Sequence, residues 1–385
     1  MAIEKETIPL EPLVIKWIVD SSGWTYEEIS KRLKTSVENT EKIVKGEKKL
    51  TFRQLKELAT VFKRPIAAFF LSEPKPEKPK PNDYRMLPNK TGKFDKKTVL
   101  VLREARKLQE TCKELSKNIH TETKTKFENF KTSDNFQEIA LNYRETLELT
   151  KEKQEKFKSA YEFFNFLRDK LEDLNIYVFQ FSMPLEDARG FVFVDEFPYV
   201  IVVNTKDIIE ARLFSLMHEF GHILLGESVI DLPDIRLSQE NEKEKWCNSF
   251  AASFLFPKQL AQSVFDKNKS KLTERTTLNG MSNKYKVSKA VLLLTMRHLN
   301  FIGQKAFEDK LNQYKPKPKE KLRQQKKESS GGIPSDKKTV SKVGTKFVSL
   351  VANNYDKEFI TYTDALNYLS IKSKNFDKVL AKAKK

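Results

Sequence analysis

Apolar residues recur at helical spacing along most of this chain, and one stretch departs clearly from that spacing. Near the N-terminus, Gly23, Gly46 and Pro65 separate short amphipathic segments. These segments predict five helices, at residues 12–21, 25–33, 36–44, 51–62 and 66–71. Between residues 190 and 204, valine-rich runs interrupted by Pro198 predict a pair of β-strands instead. The pattern therefore predicts a predominantly helical α+β protein with a small sheet.

Composition divides the chain into several parts. Proline and lysine dominate residues 74–88, and lysine, glycine and serine dominate residues 315–332, as in extended or flexible linkers. The part between them is long enough to bury a hydrophobic core of its own. We expect a helical domain at 1–75, a linker at 76–91, a central domain at 92–305, a basic flexible linker at 306–340 and a small helical region at 341–385.

The net charge of +18 is distributed unevenly along the chain. Residues 1–80 hold 16 Lys/Arg and 12 Asp/Glu, a net of +4, whereas residues 315–385 hold 18 Lys/Arg and 7 Asp/Glu, a net of +11. More than half of the excess therefore lies in the C-terminal tail. Such a tail can contact nucleic acid or an acidic partner, or it can simply keep the chain soluble.

Several classes of protein are disfavoured by composition. The chain has no run of about 20 apolar residues that could cross a membrane, and its N-terminus lacks the apolar core of a signal peptide. Its two cysteines, Cys112 and Cys247, do not make a disulfide framework. We therefore expect a cytoplasmic protein without membrane contact. The lack of a glycine-rich phosphate loop argues against an NTP-driven protease.

The strongest chemical signal is the pentapeptide HEFGH at His218–His222. On a helix, residues four apart share a face, so His218 and His222 can both reach one metal ion while Glu219 lies beside them. The surrounding segment 207–225 is rich in apolar residues, which predicts a largely buried helix that ends near Gly226. Buried histidines without partners are costly, so this setting favours a metal site over a chance pair of core or surface histidines.

A catalytic zinc ion needs a third protein ligand, and a second helical segment supplies candidates. Between residues 240 and 256, Glu244 and Asn248 are four residues apart and share a helix face. We expect Glu244 to ligate the metal and Asn248 to orient a ligand histidine through its other ring nitrogen. Glu240 and Glu242 are the alternative ligands, and the run of charges can also form a solvated helix face.

These residues resemble a known family. The segments 212–225 and 244–257 look like the paired motifs of ImmA/IrrE-type metallopeptidases, and residues 190–204 resemble the strand pair that precedes the zinc helix in that family. The resemblance implies a gluzincin-like domain that binds one Zn²⁺ per chain, with Glu219 as the general base. It also implies that Cys247 packs rather than ligates, and that the substrate is a partner transcriptional repressor.

The N-terminal helices carry a second functional signal. A capping box at Thr25 and a cap at Ser36 start two helices that Lys34 and Thr35 join, as in a helix-turn-helix. The arrangement resembles the Cro/C1 repressor-like domain of longer ImmA/IrrE family members, although Leu50 stands where that pattern usually has proline. If the domain binds DNA, the contacting side chains are expected to be Thr35, Ser36, Glu38, Asn39, Lys42, Lys45, Lys48 and Lys49. Bundles of this kind also serve as protein-interaction modules.

Two functions from different classes follow from these signals. We predict a zinc-dependent endopeptidase that cleaves a partner repressor in a stress-response or mobile-element system. The segment 272–301 predicts two helices around a turn, which we expect to support the zinc site, and its His298 is a weak candidate for stabilising the oxyanion. The alternative is a DNA-binding regulator or antitoxin whose metal centre is structural or sensory and which cleaves no peptide.

Overall fold

The computed structural model describes residues 7–74, 94–121, 127–227, 229–231, 242–314 and 335–382. Helices predominate in these ranges and a small sheet lies in the central part, so the prediction of a predominantly helical α+β protein is confirmed. The contacts divide the chain into two compact units. The described residues up to 104 belong to the first unit, and those from 105 onward belong to the second. The predicted linker at 76–91 lies outside the described residues.

The first unit holds four α-helices, a short 3-10 helix and a two-stranded ribbon within its described residues. The helices are α1, Pro12–Asp20, α2, Tyr26–Leu33, α3, Val37–Val44, and α4, Phe52–Phe62. Strand β1, Thr7–Ile8, pairs antiparallel with β2, Leu50–Thr51. The last of the five predicted segments is the 3-10 helix Ile66–Phe70 rather than an α-helix.

Local capping sets the boundaries of these helices. The Thr25 hydroxyl accepts a hydrogen bond from the Glu28 amide, and the Glu28 side chain accepts one from the Thr25 amide. Lys34 ends α2 in the left-handed conformation, at φ 52°, and turns the chain toward Ser36. The Ser36 hydroxyl in turn accepts from the Asn39 amide and starts α3. The predicted caps therefore build the turn between α2 and α3.

Helix α5, Lys96–Asn118, contributes to both units. Its first residues pack within the first unit, where Lys96 lies over the Trp24 ring at 4.3 Å and bonds to Glu28. The predicted domain boundary at residue 92 thus precedes a helix whose first part, up to residue 104, belongs with the N-terminal helices.

The second unit continues α5 from residue 105 and adds most of the helices. They are α6, Phe136–Thr146, α7, Lys151–Lys156, α8, Ala160–Asp173, α9, Ile209–Leu224, α10, Glu242–Leu255, α11, Lys258–Lys267, α12, Arg275–Tyr285, α13, Lys289–His298, α14, Gln304–Tyr314, α15, Ser335–Val343, α16, Thr345–Asp356, α17, Tyr362–Leu369, and α18, Phe376–Leu380. Among the described residues, no helix is both long and apolar enough to cross a bilayer.

A four-stranded sheet lies at the centre of the second unit. Its strands are β3, Ile176–Phe181, β4, Gly190–Phe193, β5, Tyr199–Asn204, and β6, Val229–Asp231, in the spatial order β3-β5-β4-β6. β3 runs parallel to β5, while β4 is antiparallel to both β5 and β6. Every residue of β3 and β4 is buried, so both faces of these strands are covered. The predicted strand pair corresponds to β4 and β5.

Helix α9 is in contact with both the sheet and other helices of this unit. It packs against β4, β5, α8 and α10. Gly221 allows a close approach of α9 to α10, because a Cβ atom there would lie 3.2 Å from Cys247 Sγ. Cys247 is fully buried, so in this structure it is a packing residue between the two helices.

The C-terminal helices pack onto the edge of the sheet. Helix α15 lies against β3, and the buried Arg168 donates to the Ser341 carbonyl at 2.7 Å. The basic linker predicted at 306–340 is therefore helical at both ends, in α14 and α15, and only residues 315–334 lie outside the described ranges. The predicted linker range includes parts of these two helices because a lysine-rich helix with few apolar positions has the composition of a linker. Helix α14, for example, buries only Phe307 and Leu311.

Candidate metal centre

Helix α9 places both motif histidines in the interior. Fifteen of its sixteen residues are buried, with His218 at 1 % and His222 at 0 % exposure. Arg212 fixes the segment before the N-terminus of α9, because its guanidinium donates to the carbonyls of Asp207 and Thr205. Its end is fixed by Gly226, at φ +71°, so that the expected C-cap is present. The predicted buried helix is therefore confirmed.

Helix α10 brings Glu244 to the two histidines. The Nε2 atoms of His218 and His222 are 3.1 Å apart. One Glu244 oxygen, Oε2, lies 3.2 Å from His218 Nε2, and the other, Oε1, lies 3.2 Å from His222 Nε2. All three side chains are buried, and their ligand atoms lie within 4.8 Å of one another. The three predicted ligands thus converge on one point.

The spacing of these atoms suits a tetrahedral divalent metal ion. Bonds of about 2.0–2.1 Å from such an ion place neighbouring ligand atoms about 3.3–3.4 Å apart. The observed separations of 3.1 and 3.2 Å are close to that value. Burial alone would raise the pKa of Glu244, but the hydrogen bonds with His218 and His222 outweigh it and hold the pKa well below its usual range. The donor set is therefore two imidazoles and one carboxylate, which could hold a metal ion.

Glu219 is on α9 between the two histidines, and it is fully buried. Its side chain lies against β4, because a Cβ atom on Gly190 would come within 2.8 Å of its Oε1. It is not a member of the ligand group. The structure thus places the predicted catalytic carboxylate in the interior and outside the ligand group.

The other predicted site residues are distributed around this group. Asn248 is buried on α10, one turn after Glu244, on the side that the spacing predicted. Glu242 is exposed at the start of α10, so it does not replace Glu244 as a ligand, and Glu240 lies outside the described residues. His298 lies 3.5 Å from the Ser249 hydroxyl, and burial lowers its pKa to about 4. It is not part of the ligand group.

Two polar residues that the sequence analysis missed hold the end of α10. Arg144 donates to Gln154 and, at 2.6 Å, to the Phe254 carbonyl, while Gln154 donates to the Leu255 carbonyl at 2.9 Å. These bonds satisfy carbonyls that a helix C-terminus leaves unpaired. Burial lowers the pKa of Arg144 to about 10. Both residues lie in charge-rich amphipathic segments, where nothing in the sequence distinguishes them from surface residues.

Asn204, at the end of β5, is a third polar residue whose role was not predicted. It is fully buried, and its amide nitrogen donates to the carbonyls of Met183 and Ala188 at 3.0 and 2.8 Å. Its side-chain oxygen accepts from the Lys206 amide at 3.0 Å. Asn204 therefore fixes the loop that leads into Gly190 and β4.

Helices α12 and α13 form the turn-linked pair that the sequence predicts. Lys286 ends α12 at φ 58°, and the Ser288 hydroxyl accepts from the Val291 amide to start α13. The six residues Val291–Met296 are all buried, and α13 packs against α10. This burial supports the expected role as a scaffold for the metal-site helices.

One part of the chain matches a known family. Residues 171–297 match the family Peptidase_M78, described as the IrrE N-terminal-like domain. This range of the central part is thus similar to metallopeptidase domains of the ImmA/IrrE type. The match runs from the end of α8 to α13 and so contains α9, α10 and all three residues of the metal group. No curated protein matches the chain significantly.

The residues predicted to contact DNA all lie in the first unit, on or beside α3. Glu38, Lys42, Lys45, Lys48 and Lys49 are exposed. Two of the cations are already paired: Lys42 Nζ lies 2.7 Å from Glu38, and Lys48 Nζ lies 2.9 Å from Asn39 Oδ1. The remaining members of the set are Thr35, which is half-buried, and Ser36, which is exposed and caps α3.

Proposed function

We propose that this protein is a zinc-dependent endopeptidase with one Zn²⁺ per chain, held by His218, His222 and Glu244. The observation that carries the proposal is the buried group of two imidazoles and one carboxylate at tetrahedral spacing, with Glu219 beside it on the same helix. Two histidines and a glutamate are the ligand set of several catalytic zinc sites, which leave a fourth position open. The IrrE-type match over residues 171–297 agrees with it.

The chain's own groups have separate roles in this mechanism. A zinc ion bound here would acidify a water molecule and polarise the scissile carbonyl. Glu219 accepts the proton of the attacking water and passes it to the leaving amine. Asn248 orients a ligand imidazole from α10. The buried surroundings of α9 exclude bulk water and so strengthen these electrostatic effects.

The substrate that we propose is a transcriptional repressor of a stress-response or mobile-element system. Two features support it: the central domain is of the ImmA/IrrE type, and the N-terminal unit carries two capped helices joined by a tight turn. A protease with such a unit can be brought to a repressor on DNA or can dock the repressor directly. A role of this kind belongs in the cytoplasm.

Co-expression tests the substrate and the chemistry together. The protein is produced with the product of the neighbouring gene, and intact masses are measured for the wild type and for Glu219→Gln. We expect two fragments of the partner with the wild type and an intact partner with Glu219→Gln, while both forms bind one equivalent of zinc. Cleavage that persists in Glu219→Gln would remove Glu219 from the mechanism.

A regulator without peptidase activity is the second candidate function. The exposed basic residues around α3 favour it, because they suit phosphate contacts. In this case, the metal group stabilises the fold or senses the metal. Zinc content does not separate the two functions, whereas an intact partner in the co-expression test, combined with binding to operator DNA, would favour the regulator.

A further inference from the structure

Gly190, the first residue of β4, leaves room for the side chain of Glu219. A Cβ atom at this position would lie 2.8 Å from Glu219 Oε1, 3.3 Å from Glu219 Cγ and 2.9 Å from the Val202 carbonyl oxygen. Ordinary contacts of a Cβ atom begin near 3.4 Å. The backbone φ of Gly190 is not in the left-handed region, so its conformation does not itself require glycine. The requirement for glycine at Gly190 is therefore one of space.

The two neighbours of Gly190 differ in how far they can move. Val202 belongs to β5, which is paired on both sides, with β3 and with β4, so its carbonyl is held by the sheet. The Glu219 carboxylate is the far end of a side chain that can rotate about its own bonds. An added methyl group at Gly190 would overlap both neighbours, and the carboxylate would move away more easily than the Val202 carbonyl of the paired strand.

The backbone that carries Gly190 is itself fixed. Gly190 is paired with Val203 on β5 and with Asp231 on β6. On its N-terminal side, the Asn204 amide donates to the Arg189 carbonyl at 2.8 Å, and the Asn204 side chain bonds to Met183 and Ala188. The part of β4 that the Glu219 carboxylate contacts is thus fixed by strand pairing and by the hydrogen bonds of Asn204.

We infer that Gly190 is a positioning residue for Glu219: the missing side chain lets the carboxylate lie against β4, next to the His218–His222–Glu244 group. This inference rests on the proposed function only in its last step, because the contact itself is independent of catalysis. The three atoms nearest to a Cβ atom at Gly190 belong to Glu219 and Val202, so we assign Gly190 a role that acts through Glu219.

A double-mutant cycle based on melting temperatures tests the contact between Gly190 and Glu219 without any substrate. The variants are Gly190→Ala, Glu219→Ala and the double variant, with Gly280→Ala as the matched control, since a Cβ atom at Gly280 has nothing within 4 Å. We expect Gly190→Ala to lower the melting temperature by roughly 4–8 °C, and by less when Glu219 is already alanine, because only the approach to the Val202 carbonyl oxygen then remains. Gly280→Ala, inside α12, should keep or raise the melting temperature. Equal losses in both backgrounds, or no loss in Gly190→Ala relative to the wild type, would overturn the inference.

A Gly190→Ala protein that does not fold still gives an answer. The double variant should then recover a folded protein that is still less stable than Glu219→Ala, because the overlap with the carboxylate is gone while the 2.9 Å approach to the Val202 carbonyl oxygen remains. A double variant that is also unfolded would show that the strand, and not Glu219, requires the glycine.

Metal binding and turnover test the positioning role. Competition with a chromophoric chelator should give a zinc affinity for Gly190→Ala within about threefold of the wild type, while kcat for the neighbouring-gene partner falls by about 100-fold or more with little change in KM. A parallel loss of zinc affinity would make the role merely structural. If the wild type cleaves nothing, the proposed function fails, but the stability cycle still decides whether Gly190 makes room for Glu219.

Discussion

The ion pair between Arg168 and Glu172 joins the C-terminal helices to the sheet, and breaking it should destabilise the second unit. Both side chains are only 4 % exposed, and Arg168 Nε donates to Glu172 Oε1 at 3.1 Å. Glu172 Oε2 also accepts from the Lys346 amide at 3.0 Å, at the start of α16. Gly344 is required beside them, because a Cβ atom there would overlap the Glu172 carboxylate. This pair therefore lies in the interface between α8 and the C-terminal region.

The variant Glu172→Gln keeps the size of the side chain and removes its charge. It leaves the buried Arg168 cation without the carboxylate that balances it. Breaking one side of a buried pair costs about 3–5 kcal/mol. For a unit of this size each kcal/mol lowers the melting temperature by about 2–4 °C, so we expect a decrease of roughly 6–20 °C.

Differential scanning calorimetry measures this effect against a matched control. Glu148→Gln breaks the pair between Glu148 and Lys170, which also involves α8 but has Glu148 68 % exposed. We expect no resolvable change in the control, because exposed pairs contribute little. If Glu172→Gln melts at the same temperature as Glu148→Gln, the buried pair does not hold the C-terminal helices in place.

Four further outcomes follow from the structure. Chelation should lower the melting temperature of the wild type, and His222→Ala should remove that difference, because it removes one of the metal ligands. Arg144→Met should cost about 1–3 kcal/mol in a denaturant titration, since it leaves the Phe254 carbonyl buried without its donor. Burial lowers the pKa of His298 from 6.5 to about 4, so the stability that the neutral imidazole contributes is complete above pH 6.5 and is lost as the pH falls toward 4. Calorimetry from pH 7 to 4.5 should therefore show a smaller decrease in melting temperature for His298→Gln than for the wild type. If α3 binds DNA, Glu38→Gln should free Lys42 for a phosphate and steepen the salt dependence of binding by about 0.9, measured by fluorescence anisotropy; an unchanged slope would favour a protein-docking role.

The local features of this fold were the ones that the sequence could predict. Helix α9, its C-cap at Gly226 and the strand pair around Pro198 depend on neighbouring residues, so their patterns are visible in the chain. The convergence of Glu244 with the two histidines could also be predicted, because ligand spacing constrains a metal site strongly. Pro65 correctly marked the start of the last short segment, but the pattern could not distinguish a five-residue 3-10 helix from an α-helix.

The supporting contacts could not be predicted, because they join residues that are far apart in the chain. Arg144 donates to a carbonyl 110 positions later, near the end of α10, and Gly190 makes room for a side chain on a different element. A glycine or an arginine in a charged, lysine-rich chain has no local signature of such a role. The contact between the C-terminal helices and α8 cannot be read from the sequence for the same reason, since Arg168 and Ser341 are 173 residues apart.

The folded unit extends beyond the matched family range on both sides, and residues outside that range support the helix that carries Glu244. The match covers residues 171–297, whereas Arg144, Gln154 and Lys346, which bond to the end of α10 and to Glu172, all lie outside it. A fragment limited to the matched range would leave carbonyls at the end of α10 without donors and would separate Arg168 from Glu172. Because α10 carries Glu244, loss of its support would first disturb the third ligand of the metal group. The unit that folds around the candidate metal group should thus require the helices on both sides of the matched range.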